Sequence, residues 1–197
     1  MVQLERCYNM EMVHTRLDQL IGEEEQEGQY QYTEYPVTPP DGSKHCIASF
    51  YTIPPGKSNY PYHYHLGQEE LFYIISGIGI VKTPDGTRDV KGGDVLFFPA
   101  GECGAHKLTN TSKTEPLVYL DVDTIGDVDV AVYPDSGKVG IWSDSINGTW
   151  KKKDLWHIIT VNQTPNRTKT HRTRLVRSEN PAFLVLCRGF FRKMILG

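Results

Sequence analysis

The sequence lacks several features that would place it in a familiar functional class. No apolar run approaches the length of a membrane span. The first residues include Glu5, Arg6 and Asn9 where a signal peptide would have its apolar core, so we expect no signal peptide. Neither a glycine-rich phosphate loop nor a nucleophile elbow is present, which argues against P-loop nucleotide chemistry and α/β-hydrolase chemistry.

Cysteine is scarce and scattered. Cys7, Cys46, Cys103 and Cys187 show no Cys-x-x-Cys spacing, so the sequence offers no thiolate zinc motif. We interpret the four residues as reduced thiols of a cytoplasmic protein.

Charge is unevenly distributed along the chain, although the net charge is only −3. Residues 1–150 hold 10 Lys and Arg against 22 Asp and Glu, whereas residues 151–197 hold 11 against 2. The acidic part argues against nucleic-acid binding by the main domain. The basic segment is either an arm for nucleic acid or acidic lipid, or a solvated extension. We predict the extension, with no nucleic-acid and no membrane partner.

What the sequence does contain is typical of a β-rich protein. Its 197 residues suit one domain with extensions, and 18 Gly with 12 Pro indicate many turns. A short amphipathic helix is predicted over residues 9–21, followed by a solvated acidic linker at Glu23–Glu27. The predicted strands are Cys46–Ile53, Ser58–His65, Glu70–Ser76, Ile78–Thr83, Thr87–Val90, Asp94–Phe98, Cys103–Thr109, Leu117–Val122 and Asp129–Tyr133. Many short strands separated by Gly and Pro favour a jelly roll or barrel.

The most informative segment carries two histidines, His63 and His65, one residue apart. Side chains alternate along a strand, so both imidazoles should share one face, with Tyr60, Tyr62 and Tyr64 on the other. Glu70 opens the next predicted strand, and alternation places it, rather than Glu69, beside the histidines. Two imidazoles and a carboxylate form a metal-ligand set. The competing interpretation is an ordinary polar face with a salt bridge to Glu70.

A second constellation follows at hairpin distance. It comprises Gly93, Pro99, Gly101, His106 and Asn110. A third imidazole at the end of such a strand would complete a set of three His and one Glu, which accepts iron, manganese, nickel, cobalt or zinc.

Together the two stretches resemble the paired motifs of the cupin superfamily. The first runs from Gly56 to Gly77 and the second from Gly93 to Asn110. The Gly101-to-His106 gap is two residues longer than the commonest cupin spacing. With Tyr133-Pro134-Asp135-Ser136, it resembles a subgroup of small microbial cupins that are mostly uncharacterised.

The resemblance implies an all-β cupin double-stranded β-helix, or jelly roll, with a short N-terminal helix. We predict an N-terminal extension over residues 1–44, a cupin domain over 45–140, and a C-terminal extension with a basic tail over 141–197. It also implies a divalent metal held by His63, His65, Glu70 and His106. Cupins of this size often pair through a sheet edge, so a homodimer is expected by analogy.

Other polar residues are weaker candidates. Asp121 and Asp123 alternate with Val122, so one strand face offers either a general acid or base or merely solvent-exposed carboxylates. Cys103 either lies near the metal or fills space as a small buried hydrophobe. Asn110 is expected to stabilise a turn. The remaining histidines, His14, His45, His157 and His171, are interpreted as surface residues.

Two functional hypotheses from different classes remain. The first is a small-molecule metalloenzyme of isomerase, decarboxylase or dioxygenase type that acts on a small oxygen-rich metabolite. The second is a non-catalytic ligand-binding or sensor cupin that uses the same pocket, and an empty, vestigial site is a third reading. The sequence leaves substrate, reaction and metal identity open.

Overall fold

The computed structural model describes residues 12–39, 43 and 45–155 of the chain. The described residues form antiparallel sheets and little helix. The strands are β1 Glu23–Glu27, β2 Tyr30–Pro36, β3 Cys46–Ile53, β4 Tyr64–His65, β5 Glu70–Ser76, β6 Ile78–Thr83, β7 Gly86–Lys91, β8 Val95–Phe98, β9 Lys107–Asn110, β10 Leu117–Thr124, β11 Val128–Tyr133, β12 Lys138–Ser143 and β13 Asn147–Lys151. This is the predicted all-β jelly roll.

One layer is a six-stranded sheet with the order β1-β2-β3-β10-β5-β8. Its central strand β10 pairs with β3 on one side and β5 on the other, which brings Asp123 opposite Glu70 and Asp121 opposite Phe72. Cross-strand partners project to the same face of a sheet. The central strands therefore turn these four side chains toward the interior.

The second layer consists of two smaller sheets, β7-β6-β9 and β13-β12-β11-β4. A backbone bridge between His63 and His106 connects them. The amide of His63 donates to the carbonyl oxygen of His106 at 3.1 Å, and the amide of His106 donates to the carbonyl oxygen of His63 at 2.8 Å. Two predicted site residues thus lie where the small sheets join.

Aromatic and aliphatic side chains fill the space between the layers. The buried cluster contains Tyr32, Tyr51, Ile53, Tyr60, Phe72, Ile74, Val81, Val90, Phe98, Leu108, Leu117 and Tyr119. The rings of Tyr51 and Tyr119 stack at 5.2 Å between centroids. Buried tyrosine hydroxyls need partners, and the side-chain amide of Asn59 donates to the hydroxyl of Tyr119 at 2.7 Å.

Alternation predicted the central strands well. The bounds of β3, β5 and β6 agree with the prediction, and along β5 the buried positions are Glu70, Phe72 and Ile74. The predicted strand Ser58–His65 is wrong for most of its length, because only Tyr64 and His65 form a strand there. Cys103 also lies outside a strand, in a 3-10 turn over Glu102–Gly104 that precedes β9.

Predictions for the N-terminal residues need correction. Glu23–Glu27 is a strand rather than a linker, because its backbone pairs with β2 through a tight turn at Gly28, whose φ is 58°. Its mostly exposed side chains are compatible with an edge strand. The N-terminal helix is a single 3-10 turn at Leu17–Gln19, and residues 9–11 of the predicted helix lie outside the described part.

The strands β12 and β13 were not predicted. They extend the small sheet from β11 as far as Lys151, with Val139 opposite Val132 and Trp150 opposite Val139. The predicted domain limits at residues 44 and 140 stay predictions. Residues 156–197, which hold most of the predicted basic tail, lie outside the described part.

The outer face of β5 and β8 is apolar and exposed. Leu71, Tyr73 and Ile75 project from β5, and Val95 and Phe97 project from β8. Leu71 lies opposite Phe97 and Tyr73 opposite Val95, so the five side chains form one continuous strip, here called the outer strip. Among the described residues, β8 is also the last strand of its sheet.

None of the described helices has the length and apolar character needed to cross a membrane. Cys46 and Cys103 are free thiols. The cytoplasmic location stays a prediction.

The turn between β5 and β6 depends on Gly77, which has a φ of 92°. A Cβ at this position would meet the carbonyl oxygen of Pro116 at 2.5 Å, whereas a Cβ at Gly86, where φ is 121°, would meet nothing within 4 Å. We expect Gly86→Ala to lower the free energy of unfolding by about 1–2 kcal/mol through backbone strain alone. Gly77→Ala should lower it clearly more, because the clash adds to the strain. Urea unfolding of both variants tests this, and equal losses would contradict it.

Candidate functional site

The candidate site is a buried group of histidines and one carboxylate between the two layers. Glu70 is the first residue of β5 and projects from the large sheet. His63 and His106 face it from the bridge between the small sheets, and His65 lies in β4. All four predicted ligands are buried, with between 1% and 7% of their surface exposed. Their role as metal ligands stays a prediction.

Hydrogen bonds to backbone carbonyls orient two of the imidazoles. His63 Nδ1 lies 2.9 Å from the carbonyl oxygen of Pro61, and His106 Nδ1 lies 2.9 Å from that of Gly104. A carbonyl oxygen only accepts hydrogen bonds, so each Nδ1 must carry the proton and donate it. The lone pair of each neutral ring is therefore on Nε2, the nitrogen that faces Glu70.

Asp129 orients the third imidazole. His65 Nδ1 donates to the two carboxylate oxygens of Asp129, at 2.8 and 3.0 Å. Hydrogen bonds from the outer nitrogen of a histidine to a carboxylate or carbonyl are the usual support of a metal-binding imidazole. His65 Nε2, like the other two, is left facing Glu70.

Distances around Glu70 leave room for an ion. His63 Nε2 lies 4.0 Å and His65 Nε2 3.7 Å from Oε1 of Glu70, while His106 Nε2 lies 3.5 Å from Oε2. Two ligands that each sit about 2.1 Å from one ion are separated by roughly 3–4 Å. Ligand atoms of His63, Glu70 and His106 all lie within 4.8 Å of one another, a group that can hold a metal ion. His65 contacts Glu70 but is not in that group of three, and its role as a ligand stays a prediction.

One nitrogen in the site has no partner. Among the described residues, His106 Nε2 is fully shielded and accepts or donates no hydrogen bond. An unsatisfied buried polar atom costs free energy. An ion bound to this lone pair would remove that cost, so the donor set fits a first-row divalent metal.

Burial sets the protonation of the neutral imidazoles. It lowers the pKa of His106 to about 3 and lowers that of His63 well below its usual value, with nearby histidines adding to the effect. The ring of His106 stacks on Phe98 at 3.7 Å between centroids, which helps to exclude water. Both rings are therefore neutral at physiological pH, the form that a metal requires.

The pKa values of His65 and Glu70 are raised, in contrast to those of His63 and His106. Burial would lower the pKa of His65, but the hydrogen bond to Asp129 and attraction to Glu70 outweigh it and raise the pKa to about 9. Burial raises the pKa of Glu70 to about 8, although His65 opposes that rise. These values describe the metal-free site.

Asp121 and Asp123 lie beside the histidine group, on β10. Both were predicted to be either acid–base residues or exposed carboxylates, and exposure is wrong, because Asp121 is buried and Asp123 is half-buried. Burial, with Asp123 and Glu70 as charged neighbours, raises the pKa of Asp121 well above its usual value, and burial raises that of Asp123 to about 6. Each has one shielded oxygen, Oδ1, without a hydrogen-bond partner.

The structure also places the weaker candidates named from the sequence. Asn110 stabilises a turn, as predicted, because its amide donates to the carbonyl oxygens of Ile53 and Glu115. Cys103 is exposed rather than a small buried hydrophobe. Tyr60 packs in the core, contrary to the predicted alternation. His14 and His45 are exposed as predicted, and His157 and His171 lie outside the described part.

The sequence profile of the family described as the cupin domain matches residues 49–123, which include His63, His65, Glu70 and His106. Solved structures of the same fold agree with it. A protein from Acidithiobacillus ferrooxidans, provisionally named a sugar phosphate isomerase, is 26% identical, with a TM-score of 0.63 over 70% of this chain and 89% of that one. The chain therefore contains a cupin domain over residues 49–123.

Two further relatives of this cupin are both from Thermotoga maritima. The structure of a predicted oxalate decarboxylase is 25% identical, with a TM-score of 0.50 over 56% of this chain and 97% of that one. An oxalate-binding protein is 37% identical over 70 residues, which is 36% of this chain. The match spans 54% of that curated relative's length.

The cupin site contains two residues that the sequence reasoning did not assign to it. Asp129 holds His65, and Tyr133 stacks on His63 with 5.8 Å between ring centroids. Both project inward from β11, whose alternate residues Asp129, Ala131 and Tyr133 are buried. A carboxylate at an inward position of an apolar strand is the signal that would have identified Asp129.

The pKa of His65 makes the stability of the metal-free protein depend on pH. A folded-state pKa of about 9, against a usual value of 6.5, stabilises the fold below pH 6.5, and that contribution is lost as pH rises toward 9. We expect the loss to be on the order of 3 kcal/mol. Asp129→Asn should remove most of it, because the pKa of His65 falls without the carboxylate.

Urea unfolding of chelator-treated protein at pH 6.5 and pH 9 measures this effect. The raised pKa of Glu70 acts in the same direction in both proteins, so the difference between wild type and variant reports His65. An equal loss of stability in the two proteins would refute the assignment.

Proposed function

We propose that this protein binds a divalent first-row metal ion through His63, His65, Glu70 and His106 and acts on a small oxygen-rich metabolite. The observation that carries the proposal is the common orientation of three imidazoles. Each uses Nδ1 as a donor, to Pro61, Gly104 or Asp129, and each directs Nε2 at the buried carboxylate of Glu70. Three ring nitrogens that converge on one buried carboxylate support a metal-ligand set over an ordinary polar cluster.

The side chains around such an ion would have different roles. When bound, a divalent metal with open positions polarises a carbonyl or hydroxyl oxygen of a chelating ligand. Asp129 keeps His65 in the tautomer that can bind. Phe72 and Phe98 enclose His106 and keep water away from it. Asp121 and Asp123 supply carboxyl groups near the ion that can hold or move a proton.

The comparisons support an oxygen-rich ligand in general terms. The relatives carry names that refer to oxalate and to sugar phosphates, compounds that can bind a metal ion through their oxygen atoms. Metalloenzyme chemistry, with isomerase, decarboxylase and dioxygenase reactions as the options, is our first proposal. Non-catalytic ligand binding is the second, and the 37% identity to an oxalate-binding protein favours it. Turnover of any candidate metabolite by the metal-loaded protein separates the two.

Adjacent glutamates provide a matched test of the metal site. Glu70 is buried in the site, whereas Glu69 is exposed. We expect Glu70→Gln to weaken Co²⁺ binding by about 100-fold, because it replaces an anionic ligand with a neutral amide, and Glu69→Gln to leave binding unchanged. Calorimetric titration of chelator-treated protein with Co²⁺ gives both affinities. Elemental analysis of protein purified without a polyhistidine tag should show near-stoichiometric metal in wild type and much less in His65→Ala.

The proposed site would be wrong if Glu69→Gln and Glu70→Gln bound Co²⁺ equally well, or if wild type bound none. A fold check by circular dichroism accompanies each variant. Glutamine matches glutamate in size, so loss of the fold is not the expected cause of any difference.

We also propose that the protein forms a homodimer through the outer strip. The strip carries no charged side chain, so a charged partner surface would gain nothing from it, whereas a second copy presents a matching apolar strip. A two-fold arrangement lets one patch serve both subunits. The position of the strip at β8, an edge of the described sheet, leaves it accessible to another subunit.

Phe97 is the residue of choice for testing the dimer, because it is 57% exposed at the centre of the strip's edge. We expect wild type to have twice the chain mass by light scattering after size-exclusion chromatography, and Phe97→Glu to have the mass of one chain. The control is Thr87→Glu, an equivalent change at an exposed position of β7. A monomeric wild type would contradict the dimer.

A further inference from the structure

We infer that Tyr133 is a ligand-binding residue of the candidate site, where its hydroxyl group donates a hydrogen bond to an oxygen atom of a metal-bound ligand. The inference deepens the proposed function and rests on it. It assigns to the site a class of ligand that keeps an acceptor oxygen beside the atoms bound to the metal, as a hydroxy acid does.

The strand register places Tyr133 against the histidines. On β11, Ala131 is the cross-strand partner of His65. Two residues further along this antiparallel pair, Tyr133 comes opposite His63. The two rings are nearly parallel, with 21° between their planes and 5.8 Å between their centroids. The side chain of Tyr133 therefore belongs to the same interior face as the predicted metal ligands.

The ring of Tyr133 is buried, but the protein does not use its hydroxyl. Only 5% of the residue is exposed. Within the described part of the chain the hydroxyl makes no hydrogen bond, and unlike His106 Nε2 its oxygen is not completely shielded from solvent. Buried tyrosine hydroxyls usually have a hydrogen-bond partner. The hydroxyl of Tyr133 is therefore available to a bound molecule.

A second tyrosine beside the same histidine shows the contrast. Among the described residues, the rings of Tyr60 and Tyr133 both contact that of His63, and Tyr60 does so edge-on at 6.0 Å between centroids. The hydroxyl of Tyr60 lies 3.3 Å from that of Tyr51, within hydrogen-bond distance. Of these two neighbours of His63, Tyr133 is thus the one with a free donor.

The surroundings of Tyr133 direct its hydroxyl toward the carboxylate at the centre of the site. Burial raises the pKa of Tyr133, and the charges of Asp129 and Glu70 add to the rise, so the hydroxyl lies within electrostatic range of both side chains. The Nε2 atoms of three imidazoles converge on Glu70. A ligand on an ion held there would have the hydroxyl of Tyr133 beside it.

The chemistry of a phenol hydroxyl specifies the type of atom that it would bind. The group has one proton to donate. A metal ion that binds one oxygen of a ligand carboxylate leaves the other oxygen free to accept that proton in a hydrogen bond. Hydrogen bonds to a charged oxygen are stronger than those between neutral groups. Tyr133 therefore favours a ligand with such an oxygen over a ligand that binds the metal alone.

Two small probes that differ in this oxygen test the inference. Glycolate binds a metal through its hydroxyl and one carboxylate oxygen and keeps a second carboxylate oxygen free, whereas imidazole binds through nitrogen and has no oxygen. The full chain is loaded with Co²⁺, and the change in the visible absorption of the bound ion gives an apparent Kd for each probe. The proteins are wild type, Tyr133→Phe and the matched control Tyr60→Phe.

The two probes should respond differently to the loss of the hydroxyl. Tyr133→Phe should bind glycolate about tenfold more weakly than wild type, because one hydrogen bond to a charged oxygen is lost. It should bind imidazole and Co²⁺ as wild type does, since phenylalanine keeps the ring that stacks on His63. Tyr60→Phe should match wild type with both probes. Thermal unfolding of each variant checks the fold.

Three outcomes would overturn the inference. The first is an unchanged glycolate affinity in Tyr133→Phe, and the second is a cobalt-loaded wild type that binds imidazole but not glycolate. The third is a Tyr133→Phe variant that binds imidazole or Co²⁺ as weakly as it binds glycolate, because Tyr133 would then act through His63 or the metal. Failure of the proposed function is distinguishable, because wild type would retain no cobalt after dialysis. Cobalt content measured after each titration confirms that glycolate has not removed the ion.

Discussion

The backbone bridge between His63 and His106 is the interaction on which the rest of the site depends. Its two hydrogen bonds, 3.1 and 2.8 Å long, join sheets that would otherwise end at this point. The same bridge sets the two imidazole rings 4.8 Å apart and directs both at the large sheet. Glu70 needs only to project inward from β5 to meet them. The jelly roll therefore forms the ligand set as a consequence of joining its second layer.

The site places polar groups where the fold would otherwise bury apolar ones. The interior near Glu70 holds several carboxyl groups and three imidazoles, and burial shifts the pKa of most of them. Burying these polar groups costs free energy. Hydrogen bonds compensate for part of that cost, above all the bond between His65 and Asp129. The uncompensated part is concentrated on His106 Nε2 and the Oδ1 atoms of Asp121 and Asp123. A metal ion would satisfy the nitrogen of His106, which has no other partner among the described residues.

Sequence reasoning succeeded where local alternation decides the structure. The bounds of β3, β5 and β6 and the inward position of Glu70 follow from period-two patterning between Gly and Pro residues. Sequence reasoning failed where the local structure depends on contacts with residues far away in the sequence. The acidic segment Glu23–Glu27 is a strand because β2 offers it a backbone to pair with. Tyr60 lies in the core, with its hydroxyl 3.3 Å from that of Tyr51, because residues 58–63 do not continue as a regular strand.

The sequence by itself determined the chemistry available to this cupin domain: three histidines and a glutamate that all lie in the interior of the fold. Only the tertiary structure decided the protonated nitrogen of each ring, the pairing of His65 with Asp129, 64 residues away, and the burial of Asp121. The physical reason is that alternation is a property of a strand, whereas tautomer, burial and charge balance depend on groups that other strands bring into contact.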